Sequence, residues 1–269
     1  MRNENARHSR HDRREDCRNK IVNKLKQRLE PLDYVYALWL EGADAHGAAD
    51  EYSDIDLWAD IEDAYEDEAI AAAESALLEL GEFDYRTALP HGHPQIRQRA
   101  YHLAGTSEYL MIDFCFQLHS RPRDYAFYEN DPVEGAKVIF DKAGVIQVLP
   151  GKPPVDKAAN AELLEEMRYR YTQHARVIKY VRRGQYPEAF AYYQRYVLEP
   201  LVCLLRLIHT PAYADYGYVH ISRHVPKEQA QRLEYFARIA SLEDIETKTP
   251  EAKTWFEEMA LQLKYPRER

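Results

Sequence analysis

The sequence predicts an α+β protein in which a mixed sheet flanked by helices is followed by a C-terminal helical bundle. Three observations support this fold class. Short apolar runs of strand length alternate with a few helical segments in the first half. Two prolines at 153–154 indicate a linker. Beyond them the apolar residues recur at helical spacing throughout, so we predict two domains, 1–150 and 151–269.

Each element of the first domain follows from its apolar pattern. Apolar residues at helical spacing predict a helix over 20–29 that ends at Pro31. A second helix, over 65–80, is rich in alanine and has Gly81 as its C′ residue. Small residues over 42–53 predict a loop. The predicted strands cover 34–40, 55–61, 83–87, 96–103 and 109–117, and two short apolar stretches, 137–140 and 145–149, close this half.

In the second domain, steps of three and four between apolar residues predict a series of helices. The first is one long helix across 163–181, which ends before Gly184. A proline inside the following helix, Pro200, predicts a kink. The last helix is expected to begin at Thr249, with Thr249 as the N-cap and Pro250 in the first turn.

The charge distribution bears on the kind of partner. The net charge is −9, which argues against nucleic acid, because phosphate backbones require a basic surface. Sixteen acidic residues and no Lys or Arg occur from Glu41 to Asp84. The first thirty residues contain ten Lys or Arg and five acids. This basic segment predicts a solvated helix end or terminus rather than an electrostatic arm.

Composition also bears on the compartment. No apolar run approaches the roughly 18 residues of a membrane helix, and the N-terminus has no apolar core of a secretory signal. We therefore expect a cytoplasmic protein without a membrane partner. The three cysteines are widely spaced and form no CxxC pair, so neither a disulfide framework nor a zinc site is predicted.

Two carboxylates predict a metal site. Asp54 and Asp56 are two residues apart on a predicted strand, so both side chains leave the same face. Two ionised carboxylates side by side repel each other unless a cation lies between them. Oxygen ligands of this kind suit Mg²⁺. Asp113, in a later apolar strand, would face the same pair if the two strands are adjacent.

The motif that contains these acids resembles a known one. A strand, then Gly42 and Ala43, a loop, and then Asp54, Ile55 and Asp56 resemble the signature of the DNA polymerase beta nucleotidyltransferase superfamily. Within it, the segment 42–56 resembles the lincosamide and aminoglycoside nucleotidyltransferases (adenylyltransferases). The resemblance implies a nucleotidyltransferase catalytic domain over 1–150 and a helical domain over 151–269 that helps to bind the nucleotide and the acceptor.

The resemblance also implies catalytic and metal-binding roles. Asp54 and Asp56 would hold Mg²⁺ on the triphosphate of an NTP, with ATP as the expected co-substrate. Asp113 would either complete the ligand set or accept the proton of the attacking hydroxyl. A nucleoside monophosphate, expected to be AMP, would pass to a hydroxyl of a small acceptor, and an antibiotic is one candidate.

The resemblance places four residues of the loop near the phosphates: Gly42, Ala43, His46 and Ser53. Ala43 stands where the family usually has serine, and His46 stands where close relatives have arginine. Asp44 adds a negative charge near the expected triphosphate. These departures affect the phosphate-binding part of the motif and leave the metal ligands intact.

Cations for the phosphates have to come from outside the acidic segment. Arg176 and Lys179 lie at i and i+3 on one helical stripe and are the candidates; the alternative is a solvated helix face. His91 and His93 have the spacing of a metal pair, but lie between prolines without nearby cysteines, which favours an ordinary loop.

The leading hypothesis is thus a magnesium-dependent nucleotidyltransferase that acts on a small hydroxylated acceptor. Two alternatives remain at this stage. One is a protein-AMPylating enzyme of toxin–antitoxin type. The other is a catalytically degenerate member that serves as a nucleotide-binding or interaction module. Whether the chain forms a homodimer is also open.

Overall fold

The structure is a computed structural model that describes residues 17–123 and 125–264. Residues 1–16, with five of the ten Lys and Arg of the basic segment, therefore lie outside the described residues. The chain divides after Lys152 into two compact units. No helix in the described part of the chain is long and apolar enough to cross a membrane.

In its described residues the first unit contains a helix α1 over residues 17–29, a one-turn helix α2 (Gly42–Ala45), a 3-10 turn (Asp63–Tyr65), a helix α3 (Glu66–Leu78) and eight strands. The strands are β1 (Val35–Leu40), β2 (Ile55–Ile61), β3 (Phe83–Leu89), β4 (Ile96–Leu103), β5 (Ile112–Leu118), β6 (Phe127–Tyr128), β7 (Lys137–Asp141) and β8 (Val148–Leu149).

Six of these strands form one mixed sheet in the order β3-β4-β5-β2-β1-β7. The central pair β2 and β5 is parallel, and the other neighbours are antiparallel. The mixed sheet with flanking helices, followed by a helical unit, confirms the predicted α+β class. The short strands β6 and β8 pair separately.

The two faces of the sheet differ in character, because successive side chains of a strand point to opposite sides. One face packs against α1 and α3; Leu57 of β2 and Phe114 of β5 belong to this core. The other face contains Trp39, which is fully buried, and the half-buried Trp58, whose rings stack at 5.8 Å. The acids of β2 and β5 lie on this second face.

Three details of the first unit differ from the sequence prediction. The predicted loop over 42–53 starts with the helical turn α2. The strand predicted to begin at residue 109 begins at Ile112, because Leu110 N–H donates to the Ser107 carbonyl (2.8 Å) and closes a turn there. Only the last two residues of the short apolar stretch 145–149 form a strand, β8.

The second unit is helical. Its elements are α4 (Lys157–Thr172), α5 (His174–Arg182), α6 (Tyr186–Tyr193), a π-helical turn (Gln194–Leu198), α7 (Glu199–His209), a 3-10 segment (Pro211–Tyr216), α8 (Ile221–His224), α9 (Lys227–Ala237) and α10 (Leu242–Lys264). Leu204 and Trp255 are among the buried side chains of its core.

The predicted long helix across 163–181 is wrong in one respect, because the chain divides at Gln173 into α4 and α5. Before Pro200 the deviation from α-helix takes the form of a π-helical turn. A proline has no N–H, and its ring clashes with the carbonyl four residues earlier. A wider turn accommodates both effects.

The predicted start of the last helix at Thr249 is also wrong. Helix α10 begins at Leu242 and contains Pro250 in its interior. The Thr249 hydroxyl donates to the Ile245 carbonyl (2.6 Å), so it does not cap a helix start. The start is capped by Ser241, whose hydroxyl accepts from Asp244 N–H (3.0 Å), and by Asp244, whose carboxylate accepts from Ser241 N–H (3.1 Å).

Candidate active site

Three carboxylates converge at one end of the parallel pair β2 and β5. Asp56 and Asp113 are direct register partners on these strands. Both are half-buried, and Asp54, immediately before β2, is exposed. The adjacency that the sequence interpretation of Asp113 required is therefore present. We call Asp54, Asp56 and Asp113 the carboxylate cluster.

The electrostatics of the cluster are unfavourable without a cation. Burial raises the pKa of Asp56 to about 6, and the charges of Asp54 and Asp113 add to the rise. Burial also raises the pKa of Asp113, and Asp54 contributes in the same direction. These shifts follow from removing like charges from water at short range.

Gln98 on β4 holds Asp113 in place. Its side-chain N–H₂ donates to both carboxylate oxygens of Asp113, at 2.9 and 2.7 Å. This contact lowers the pKa of Asp113 and so opposes the effect of burial. Gln98 is not recognisable as a site residue from the sequence, since a lone glutamine in a strand gives no signal of its partner on the next strand.

Glu41 is a fourth carboxylate beside the cluster. It follows β1, its backbone N–H donates to the Asp56 carbonyl (3.0 Å), and its carboxylate accepts from the Trp39 indole (2.8 Å). The pKa of Glu41 is raised to about 7, mainly by burial and also by the charges of Glu134 and Asp56. Glu41 was not among the predicted site residues, although its position directly before Gly42 is a signal in the sequence.

Gly42 allows the loop to approach the cluster. Its φ of +56° lies in the left-handed region. A Cβ at this position would overlap Asp56 Oδ2. Position 42 therefore needs glycine for both its backbone conformation and the space that the carboxylate takes up.

Arg18 of α1 contacts the loop from the side of the helices. Its guanidinium forms an ion pair with Asp44 and donates to the backbone carbonyls of Ser53 (2.5 Å) and Asp54 (2.8 Å). Asp44 is buried in this contact. The negative charge of Asp44, which the sequence interpretation placed against the triphosphate, is thus matched by a cation of the chain itself.

The predicted phosphate-binding residues of the loop have protein partners. His46 Nε2 lies 3.3 Å from the Val133 carbonyl. The Ser53 hydroxyl donates to Asp50 Oδ1 and accepts from Asp50 N–H, both at 3.0 Å. Ala43 lies in the first turn of α2. Their roles toward a nucleotide remain predictions.

A cavity of about 320 Å³ opens beside the loop. Arg18, Asp44, Ser53 and Lys137 are among its lining residues. Lys137, at the start of β7, is exposed and acts against the rise in the pKa of Asp44. It is a cation of the first unit that sequence reasoning did not single out, because its strand is distant from the motif along the chain.

The cations proposed from the helical half lie in the second unit. Arg176 and Lys179 are exposed on α5. The Lys179 ammonium lies 4.7 Å from the Tyr180 ring centroid. Their assignment to the nucleotide stays a prediction from the resemblance.

The two loop histidines, His91 and His93, have different surroundings. His91 packs edge-on against Trp58, with ring centroids 6.5 Å apart. It also lowers the pKa of Asp113, which opposes the effect of burial. The ring nitrogen Nδ1 of His91 accepts from His93 N–H (3.0 Å). His91 thus belongs to the surroundings of the carboxylate cluster, a proximity that the sequence analysis did not foresee.

Whether these residues suit Mg²⁺ is a question of donor chemistry. Within residues 17–123 and 125–264, no group of three or more His, Cys, Asp or Glu side chains is arranged as a ready metal site. The donors are hard oxygens from neighbouring carboxylates, and burial together with their mutual repulsion raises the pKa of Asp56. A divalent cation relieves this repulsion, and one or two carboxylates with added phosphate and water oxygens suffice for Mg²⁺. The donor set therefore fits the ion chemically.

Several solved structures are similar to the chain. An aminoglycoside 6-adenyltransferase from Bacillus subtilis has 12% sequence identity and a TM-score of 0.37, covering 91% of this chain and 88% of that one. The spectinomycin adenyltransferase AAD(9) from Enterococcus faecialis, solved with ATP and spectinomycin, has 11% identity and a TM-score of 0.32, covering 91% and 99%. The GLD-2/RNP-8 complex has 12% identity and a TM-score of 0.30, covering 86% and 63%.

No protein-family model and no curated protein sequence matches the chain. Since all three TM-scores are below 0.5, these similarities do not decide the function. The function is therefore inferred from the residues of the site.

Proposed function

We propose that the chain is a magnesium-dependent nucleotidyltransferase that moves a nucleoside monophosphate from an NTP to a hydroxyl of a small acceptor. The convergence of the carboxylate cluster beside Gly42 carries this proposal. Asp56 and Asp113 are register partners, and the backbone of Gly42 lies against the Asp56 carboxylate. Such a site brings hard-metal ligands and an approachable loop backbone together.

Asp54 and Asp56 would hold the ion. When bound, Mg²⁺ supplies charge neutralisation for the triphosphate and for the leaving pyrophosphate. The other contributions come from the chain itself. The 42–54 loop, which we define as residues 42–54 between β1 and β2, presents its backbone beside the cluster. The start of α2 at Gly42 supplies N–H groups that have no acceptor within the helix.

Asp113 would accept the proton of the attacking hydroxyl. The acceptor oxygen attacks the α-phosphorus, the bond from that phosphorus to the pyrophosphate oxygen breaks, and the hydroxyl proton passes to Asp113. Burial raises the pKa of Asp113, which improves it as a proton acceptor. The Gln98 side-chain N–H₂ donates to both of its oxygens and helps to orient the carboxylate.

The structure removes one reason to suspect a degenerate site. Asp44 was the added negative charge near the expected triphosphate, and it is paired with Arg18. Lys137 lines the cavity beside the 42–54 loop and adds a second positive charge that acts on Asp44. The neutralisation of Asp44 favours an active enzyme over a passive module.

Pyrophosphate release from each of the four NTPs, with Mg²⁺ and a panel of hydroxylated small molecules, tests the proposal. We expect turnover with ATP and a suitable acceptor, and its loss in Asp56→Asn. Asp67→Asn is the matched control, because it removes the same charge from an exposed position on α3. Turnover that persists in Asp56→Asn would refute the assignment.

A further inference from the structure

Arg18 is buried at the start of α1, with 8% of its surface exposed. A guanidinium remains charged in proteins, and burying a charge is costly unless it is paired and hydrogen-bonded. The buried position therefore calls for an explanation in terms of what the side chain holds together.

The contacts of Arg18 reach both ends of the 42–54 loop. Nη1 binds the Asp44 carboxylate in α2 and also donates to the Asp54 carbonyl (2.8 Å). Nη2 donates to the Ser53 carbonyl (2.5 Å). Three of the five N–H donors of the guanidinium are thus committed to the loop, one to its start and two to its end.

Both ends matter to the carboxylate cluster. Asp54 belongs to the cluster, and its carbonyl is one of the two that Arg18 binds. At the other end, Asp44 follows Gly42 by two residues, and Gly42 abuts Asp56. The planar guanidinium thus joins α2 to the segment that leads into β2.

We infer that Arg18 is a positioning residue that holds the 42–54 loop against the carboxylate cluster, acting through Asp44 and the Ser53 and Asp54 carbonyls. Its consequence for nucleotide binding rests on the proposed function. Its structural part, the ordering of the loop, is independent of any ligand.

Hydrogen exchange of the ligand-free protein tests the structural part. Arg18→Lys keeps a positive charge near Asp44 and lacks the planar fork. We expect peptides from 42–54 to exchange on the order of 10-fold faster, with those from β1 and β5 unchanged. Arg28→Lys, at an exposed position on α1, is the control. Unchanged exchange in 42–54, or a rise throughout the sheet that indicates undocking of α1, overturns the inference.

Calorimetric titration with Mg²⁺ and a non-hydrolysable ATP analogue tests the consequence. We expect the Kd of Arg18→Lys to rise on the order of 10-fold, as is typical when a residue behind a metal site is altered, and that of Arg28→Lys to stay at the wild-type value. Wild-type affinity in Arg18→Lys overturns the positioning role. If the wild type itself binds no analogue, the proposed function fails, and the exchange result alone decides whether Arg18 holds the loop.

Discussion

Asp56 and Asp113 stand opposite each other on the neighbouring parallel strands β2 and β5. Both side chains leave the sheet on the face turned away from α1 and α3. Burial, together with the repulsion between Asp56 and its neighbours Asp54 and Asp113, raises the pKa of Asp56 to about 6. An arrangement that is unfavourable by itself becomes favourable once a cation is bound, which gives the proposed metal dependence its physical basis.

Asp56→Asn is expected to stabilise the metal-free protein at about pH 8 and not at about pH 4. The folded-state pKa of about 6 lies above the ordinary value of 3.8. The contribution of Asp56 to stability is therefore complete below about pH 4 and is lost as the pH rises through 6. A gain on the order of 2 kcal/mol is expected at the higher pH. Urea unfolding in EDTA measures it, and a loss of stability at about pH 8 would contradict the account.

Glu41→Gln is also expected to stabilise the metal-free protein, but at a higher pH than Asp56→Asn. Gln can still accept from the Trp39 indole, which now donates to the Glu41 carboxylate. The folded-state pKa of about 7 exceeds the ordinary value of 4.5, so the stability from Glu41 is lost as the pH rises through 7. The variant should gain on the order of 1–3 kcal/mol at about pH 9 and nothing at about pH 4. Glu82→Gln, at an exposed position, is the control variant in the same unfolding assay. Equal changes in the free energy of unfolding for the two variants would contradict the burial of Glu41.

Gly42→Ala should impair binding more than stability. Gly42 and Gly144 have similar left-handed φ values, +56° and +63°. Alanine at either position should cost on the order of 1 kcal/mol in unfolding free energy. Only at position 42 would the new Cβ meet the Asp56 carboxylate, since Gly144 has open space around it. We expect Gly42→Ala to weaken binding of the Mg²⁺–ATP analogue on the order of 100-fold. Gly144→Ala should leave this binding unchanged. Equal affinities of the two variants for the analogue would contradict the prediction.

Gln98→Ala is expected to raise the pKa of Asp113 further. The side chain of Gln98 donates to both oxygens of Asp113 and stabilises the ionised form. Its removal leaves burial and the charge of Asp54 to act with less opposition. Carboxyl ¹³C NMR titration of the metal-free protein measures the shift. Gln95→Ala, which removes a contact with Ser120 instead, is the control, and an unchanged Asp113 titration in Gln98→Ala would show that the contact is not formed in solution.

The sequence predicted the strands and the faces of the acids well. Period-two alternation places Asp54 and Asp56 on one face and Asp113 opposite its apolar neighbours. It does not determine the order of strands in a sheet. The pairing of β2 with β5, which brings Asp113 to Asp56, depends on packing between segments far apart along the chain.

The supporting residues were not predictable for the same reason. Gln98 and Asp113 are 15 residues apart, and Arg18 and Asp44 are 26 apart. Only the folded sheet and helix bring them together, and neither belongs to a local motif. Residue type alone would place Arg18 on a solvated helix face.

In the helical unit, a local sequence pattern also led to a wrong prediction. Thr249 and Pro250 have the pattern of a helix start, but Pro250 sits inside α10. The capping pattern of Ser241 with Asp244 was present in the sequence and marks the true start. The division at Gln173 had no comparable signal, because α4 and α5 continue the same helical spacing of apolar residues.

Calorimetric titration of a non-hydrolysable ATP analogue into the wild type, Asp56→Asn and Asp67→Asn, each with Mg²⁺ and with EDTA, tests the central claim most directly. We predict that the wild type and Asp67→Asn bind the analogue only when Mg²⁺ is present, and that Asp56→Asn does not bind it. Binding of equal strength in EDTA, or wild-type affinity in Asp56→Asn, would contradict a metal-dependent nucleotide site at the carboxylate cluster.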